Sequence, residues 1–186
     1  MKKLTIIFVL LFCFSLKGQW VELQSGTNLD INSISFLTEM TGWACCDSGI
    51  VLKTTDRGFN WDQYTTSNLI DLFSIHFYDS LNGVTVGSKS SIFKTNDGGI
   101  TWSLKNLNPD INFNSVRFID SAKVLVAGNN AKILLSTDRG NNWQTINTPL
   151  GNQNLLNISI LNTQIIWVGG DRAILKSVNG GYSWTF

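Results

Sequence analysis

Short apolar stretches of four or five residues, each bounded by Gly, Asn, Asp or Ser, recur along the whole chain and nowhere lengthen into a helical period. They sort into sets. First strands are expected at Ser33–Leu37, Ser74–Tyr78, Ser115–Ile119 and, slipped by one residue, Asn157–Leu161. Second strands follow at Trp43–Cys46, Val84–Gly87, Leu125–Gly128 and Ile166–Gly169, and third strands at Ile50–Thr54, Ser91–Thr95, Lys132–Ser136 and Ala173–Ser177. The third strands carry adjacent apolar pairs, such as Val51 with Leu52 and Ile92 with Phe93, where a half-exposed strand would alternate. Such runs belong to sheets covered on both faces. The only prolines, Pro109 and Pro149, fall in connections between the sets.

Tryptophan fixes the spacing of these sets. Trp20, Trp61, Trp102, Trp143 and Trp184 are each separated by 41 residues, and a fourth strand is expected to begin at each. A strand-rich repeat of this length implies small antiparallel sheets stacked radially, as in a β-propeller. The fold class is therefore all-β, with four repeats of four-stranded antiparallel blades. Five starts of a fourth strand stand against four sets of the other three. The surplus strand, Trp20–Ser25, predicts the N-terminal part of a larger ring of about seven blades; a closed four-bladed ring is the rival arrangement.

One motif recurs between the third and fourth strands: Thr54-x-Asp56-x-Gly58-x-x-Trp61, Thr95-x-Asp97-x-Gly99-x-x-Trp102, Ser136-x-Asp138-x-Gly140-x-x-Trp143 and Ser177-x-Asn179-x-Gly181-x-x-Trp184. A short acidic side chain accepts backbone N–H groups a few residues ahead, and glycine takes the positive φ of the reversal. The hydroxyl is a further polar partner, and the indole covers the hairpin. Four copies at equivalent hairpins favour a structural role over calcium binding or catalysis.

The first 18 residues read as an export signal: basic Lys2 and Lys3, an apolar Leu4–Leu16, then small Gly18. The apolar run is shorter than the roughly 20 residues a spanning helix needs, so residues 19–186 are expected as the propeller domain, without a transmembrane segment, in a secreted, periplasmic or cell-surface location. Losing Lys2, Lys3 and Lys17 from 14 basic residues leaves the 13 acidic ones in slight excess, which argues against nucleic acid. Cys45 aligns with Val86, Ala127 and Val168, and Cys46 with Gly87, Gly128 and Gly169. Adjacent strand residues point to opposite faces, so the two make a poor metal pair. They read as core substitutions, with a vicinal disulfide as the alternative. Neither metal nor cofactor is implied.

The tryptophan motif resembles the Asp box, or BNR repeat, across the whole mature chain. The wider unit Gly42–Gly58 most resembles the propeller repeats of the photosystem II stability and assembly factor family and its secreted bacterial relatives; sortilin-type receptors, sialidases and some glucan-cleaving hydrolases carry the box on related propellers. The resemblance implies a propeller used mainly as a binding scaffold. Arg57 and Arg139 depart from the common glycine or lysine, and the two cysteines from the common Val-Gly.

Catalytic chemistry has little to stand on. Glu22 and Glu39 are the only glutamates, His76 is the sole histidine, and the arginines are scattered rather than clustered. No catalytic residue is assigned. The expected binding platform is the end of the blades opposite the boxes. Its candidates are Asp30, Asp71, Asn112 and Gln153 leading into the first strands, and Asp47, Lys89, Asn130 and Arg172 between second and third strands. The expected function is an exported, non-enzymatic scaffold for a protein or glycan partner, of undetermined oligomeric state. The alternative is a carbohydrate-active hydrolase with its catalytic residues outside this chain.

Overall fold

In the computed structural model, which describes residues 22–66, 69–107 and 110–186, the chain folds as four antiparallel sheets and no α-helix among the described residues. The expected export signal, Trp20 and Pro109 lie outside those residues. Blade 1 comprises β1 (Ile31–Phe36), β2 (Gly42–Cys46), β3 (Ile50–Thr54) and β4 (Asp62–Thr65) in that spatial order. Blade 2 comprises β5 (Leu72–Phe77), β6 (Gly83–Gly87), β7 (Ser91–Thr95) and β8 (Ser103–Asn106). Blade 3 repeats it with β9 (Phe113–Phe118), β10 (Val124–Gly128), β11 (Ile133–Ser136) and β12 (Gln144–Ile146). Blade 4 has β13 (Leu155–Ile160), β14 (Ile166–Gly170) and β15 (Ala173–Ser177), with a single Lys176–Thr185 bridge where a fourth strand would run. Of the surplus outer strand expected at Trp20–Ser25, the described residues Glu22–Ser25 form no strand.

The doubly covered sheets account for the apolar pairs in the third strands. Val124, Val126 and Leu134 of blade 3 pack with Val84, Val86 and Ile92 of blade 2. Their strand neighbours Leu125, Ala127, Ile133 and Leu135 point the other way and pack with Leu155, Ile158, Ile166, Val168 and Leu175 of blade 4. First strands stitch successive blades together: Ser33 Oγ accepts Ile75 N–H (3.4 Å), Ser35 Oγ accepts Phe77 N–H (3.2 Å) and Ser74 Oγ accepts Val116 N–H (3.2 Å). His76 takes the same role, its Nδ1 accepting Phe118 N–H at 3.4 Å. Burial, helped by the neighbouring Arg117 charge, depresses the imidazole to about 4, so it stays neutral and able to accept.

Packing runs from blade 1 through blade 4, and no comparable packing among the described residues returns β13 to β1. The blades form an open arc and not the closed four-bladed ring.

Blade 4 also corrects the sequence alignment. Gly170 pairs with Leu155 as Gly128 pairs with Phe113 and Gly87 with Leu72, so Gly170, and not Gly169, is the counterpart of Gly87, Gly128 and Cys46. The slip of the first strand extends through the second. It is recovered in the next loop, where Asp171–Arg172 replaces longer connections such as the three-residue Ser88–Ser90. A Cβ at Gly87, Gly128 or Gly170 would lie 2.0, 2.4 or 1.9 Å from the carbonyl oxygen of Asp71, Asn112 or Asn154. Blade 1 admits Cys46 there with a longer backbone bond: Asp47 N–H reaches Asp30 O at 3.2 Å, against 2.9 Å in each of the other blades. Cys45 and Cys46 are both free thiols, buried and pushed up to about 12 and about 11 by desolvation.

Candidate functional site

Each blade has two ends. At one, every Thr or Ser of the repeated motif closes its own hairpin. Thr54 Oγ1 donates to Asp56 Oδ1 (2.9 Å) and accepts Gly58 N–H (2.9 Å). Thr95 does the same with Asp97 (2.7 Å) and Gly99 (3.0 Å), Ser136 with Asp138 (2.8 Å) and Gly140 (2.7 Å), and Ser177 with Asn179 (3.0 Å) and Gly181 (2.8 Å). The acceptor oxygen then takes the N–H of the residue before the tryptophan: Asn60, Thr101, Asn142 and Ser183. Trp102, Trp143 and Trp184 each donate Nε1–H back to the motif glycine carbonyl at 3.1 Å; Trp61 covers its hairpin without that bond.

These bonds account for the acidity of the carboxyls. Burial pushes Asp97 up, but the Thr101, Thr95 and Ile100 hydrogen bonds outweigh it and hold the group at about 2. For Asp138 the Asn142 backbone bond leads, and the result is again about 2. Asp56 is likewise lowered, first by Asn60. Their oxygens are occupied within the hairpin.

At the other end the blades diverge. In blade 1, Asn32 Nδ2 spans its own loop and the next blade, donating to Asp47 Oδ1 (2.7 Å) and Leu72 O (2.9 Å). Asn114 repeats this in blade 3, to Asn129 Oδ1 (2.8 Å) and Leu155 O (2.9 Å). Asp71 accepts the Ser48 N–H at 3.1 Å. The candidate loop residues do meet at this end, with two changes of register. The backbone carbonyl that accepts the following loop belongs to Asp30, Asp71, Asn112 and Asn154, so Gln153 sits one position before its supposed equivalents. Likewise Lys89, Asn130 and Arg172 share a left-handed conformation (φ 54°, 54° and 55°) with Ser48 (φ 57°), and Asp47 precedes that position.

Blade 4 is the outlier. Asn152, Gln153, Gly170, Asp171 and Arg172 line an open concavity. Gln153 Oε1 is buried there without a hydrogen-bond partner among the described residues, while the Gln153 carbonyl accepts Ala131 N–H at 2.7 Å. Asp171 Oδ2 accepts Asn154 N–H at 3.3 Å, and Arg172 is exposed on the rim. A buried acceptor left unmatched is costly and is rarely retained in native folds. This site was hard to find from sequence because it follows from the shortened Asp171–Arg172 loop. A second concavity lies at the motif end between blades 2 and 3, where Lys94 Nζ donates to Asn141 Oδ1 at 2.6 Å beside Trp102. No helix among the described residues is long and apolar enough to cross a membrane.

Residues 64–153 match the family model of the photosynthesis system II assembly factor YCF48. No curated protein matches in sequence. Among solved structures, YCF48 bound to D1 peptide aligns with TM-score 0.60 at 17% identity, covering 88% of this chain and 83% of that one. The Niastella koreensis GH74 enzyme aligns with TM-score 0.67 at 15% identity over 83% of this chain and 29% of its own, and U3-55K with TM-score 0.70 at 9% identity over 83% and 48%. At these identities the solved structures speak for the propeller fold alone. The match over residues 64–153 and the blades that those residues build make this chain similar to the YCF48-like β-propeller family.

Proposed function

We propose that the protein is an exported, non-enzymatic scaffold that binds an extended protein segment at the loop end of its blades, centred on blade 4. The observation that carries this reading is the concavity lined by Gln153 and exposed Arg172, with Gln153 Oε1 buried and unmatched among the described residues. A peptide supplies both complements, a backbone N–H for the amide oxygen and a carboxylate for the guanidinium. The family match and the fold shared with a YCF48 that holds a D1 peptide support a protein partner over a glycan. The motif carboxylates are poor candidates for acid–base work, because Asp97 and Asp138 are held far below neutrality by their own hairpins.

Panning a displayed random-peptide library against the purified protein tests this. Enriched peptides should lose binding to Gln153→Leu and to Arg172→Glu. Enrichment indifferent to both substitutions, or none above a blank surface, would remove the proposal. Incubation with sialosides and β-glucans addresses the hydrolase alternative: sustained turnover, abolished by replacing a loop carboxylate, would replace the scaffold reading. N-terminal sequencing of the exported protein should begin near Gln19.

A further inference from the structure

The two tryptophans outside the 41-residue series occupy one structural position. Trp43 pairs across its sheet with Ser35 and Lys53, and Trp167 pairs with Ser159 and Lys176. In both, a lysine rides over the indole, with Lys53 Nζ at 5.7 Å and Lys176 Nζ at 5.5 Å from the ring centre. The likeness is hidden in the sequence by the blade 4 slip.

Trp43 shows what that position does when a blade follows. It is fully buried, stacked at 3.6 Å and 8° on Phe77 of blade 2, with Nε1 donating to Gly98 O at 2.9 Å across the junction. Its indole lies against Gly99, where an added Cβ would stand 3.2 Å from Nε1. Trp167 is half-buried, its Nε1 has no hydrogen-bond partner among the described residues, and the face around it exposes Leu156, Ile174 (67% exposed) and Val178.

The opposite face of the arc carries the matching seat, already assembled. Phe36 is the blade 1 counterpart of Phe77. It lies over Gly42 as Phe77 lies over Gly83, and stands edge-on to Trp61 at 6.0 Å as Phe77 does to Trp102 at 6.0 Å. Phe77 is buried, whereas Phe36 is 45% exposed beside Ile34 at 63%. Arg57 replaces Gly98 in the same left-handed conformation, φ 69° against 75°, so its carbonyl is the counterpart of the Gly98 acceptor. Gly58 is the counterpart of Gly99. Over Gly58 sits Leu23, itself 45% exposed, a small side chain in a place shaped for an indole.

We infer that the blade 4 face of one copy docks on the blade 1 face of a second, Trp167 stacking on Phe36 and donating to the Arg57 carbonyl. This continues the blade-to-blade interface already used three times within the chain. Plug and socket lie on different faces, so the contact is heterologous, and a dimer that makes both junctions is closed. The inference does not rest on the peptide-binding reading.

Sedimentation velocity on the exported protein tests it. A dimer is expected. Trp167→Ala and Phe36→Ala should each weaken the dimer by about tenfold or more while circular dichroism keeps the wild-type strand signal. Mixing the two variants should restore a heterodimer through the one junction that pairs an intact tryptophan with an intact phenylalanine. Leu23→Ala, which clears the seat, should leave the dimer as tight or tighter. A monomeric wild-type protein, a dimer unaffected by Trp167→Ala, or a mixture with no more association than either variant would overturn the inference.

Discussion

The two ends of each blade solve the same problem, closing a reversal between strands, in opposite ways. At the motif end all four hairpins use one hydrogen-bond set, hydroxyl to acid and hydroxyl to glycine N–H, whether the residues are Thr and Asp or Ser and Asn. At the loop end the solution changes from blade to blade: an Asn–Asp bridge in blade 1, an Asn–Asn bridge in blade 3, a shortened loop with an unmatched amide in blade 4. A self-closed hairpin has its hydroxyl and a carboxylate oxygen engaged by its own backbone. An end whose loops differ and whose acceptors are not all matched has capacity left for a ligand. The comparison separates residues that hold the blades from residues free to recognise something.

The largest expected effect lies at the loop end, but in its backbone. Gly87→Ala would place Cβ 2.0 Å from the Asp71 carbonyl oxygen and 2.9 Å from its carbon, so two strands must part. The expected loss is about 3 kcal/mol by urea denaturation. Gly169→Ala has nothing within 4 Å of its Cβ and is expected within about 0.5 kcal/mol of wild type. Equal losses would mean that the blade 4 register described here is wrong.

Next comes the motif hydroxyl. Ser136→Ala leaves the buried Gly140 N–H without its 2.7 Å acceptor and frees one bond of Asp138, at an expected cost of about 2 kcal/mol. The same change at Ser177, in blade 4, should cost a similar amount, since Asn179 preserves the geometry without the charge. A loss confined to blades with aspartate would show that charge, and not hairpin closure, is what the motif supplies.

What was legible in the sequence follows this division. The motif end could be read residue by residue because hydroxyl, acid, glycine and indole each have a separate local reason to be there. Strand positions were legible for the same reason, with ends displaced by one or two residues. The shift of β14 was not. When a sheet is buried on both faces, sliding it by one residue exchanges one apolar side chain for another, Ile166 or Trp167 at the place of Leu125, and pattern alone cannot detect the slide. The slip in turn hid the correspondence of Trp43 with Trp167 and misplaced Gln153. His76 was read as a polar strand residue; its use as an acceptor for the next blade depends on a contact 42 positions away.

That contact gives a smaller, pH-dependent effect. His76 is depressed from 6.5 to about 4 in the folded protein, so below pH 6.5 the unfolded chain binds more protons and stability falls. The loss develops between pH 6.5 and about 4, of order 1–2 kcal/mol once the remaining solvent screening is counted. Asp97 and Asp138 act in a separate, lower window, between their ordinary 3.8 and about 2. His76→Gln should flatten the urea midpoint between pH 6.5 and 4 and leave the more acidic limb in place. A midpoint that still falls in the upper window would assign the effect to another group.

The smallest effect on stability is expected where the effect on binding is largest. Arg172 is exposed and has no salt bridge among the described residues, and its left-handed backbone at φ 55° is one that alanine tolerates no worse than arginine. Arg172→Ala should therefore change unfolding free energy by less than about 0.5 kcal/mol. Ser136→Ala, by contrast, should lower stability and leave captured peptides bound under native conditions. If the loop end is the recognition surface, the two variants separate stability from binding in opposite directions. If Arg172→Ala leaves peptide binding intact while Ser136→Ala abolishes it in the folded protein, recognition belongs to the motif end, and the assignment of the two ends must be exchanged.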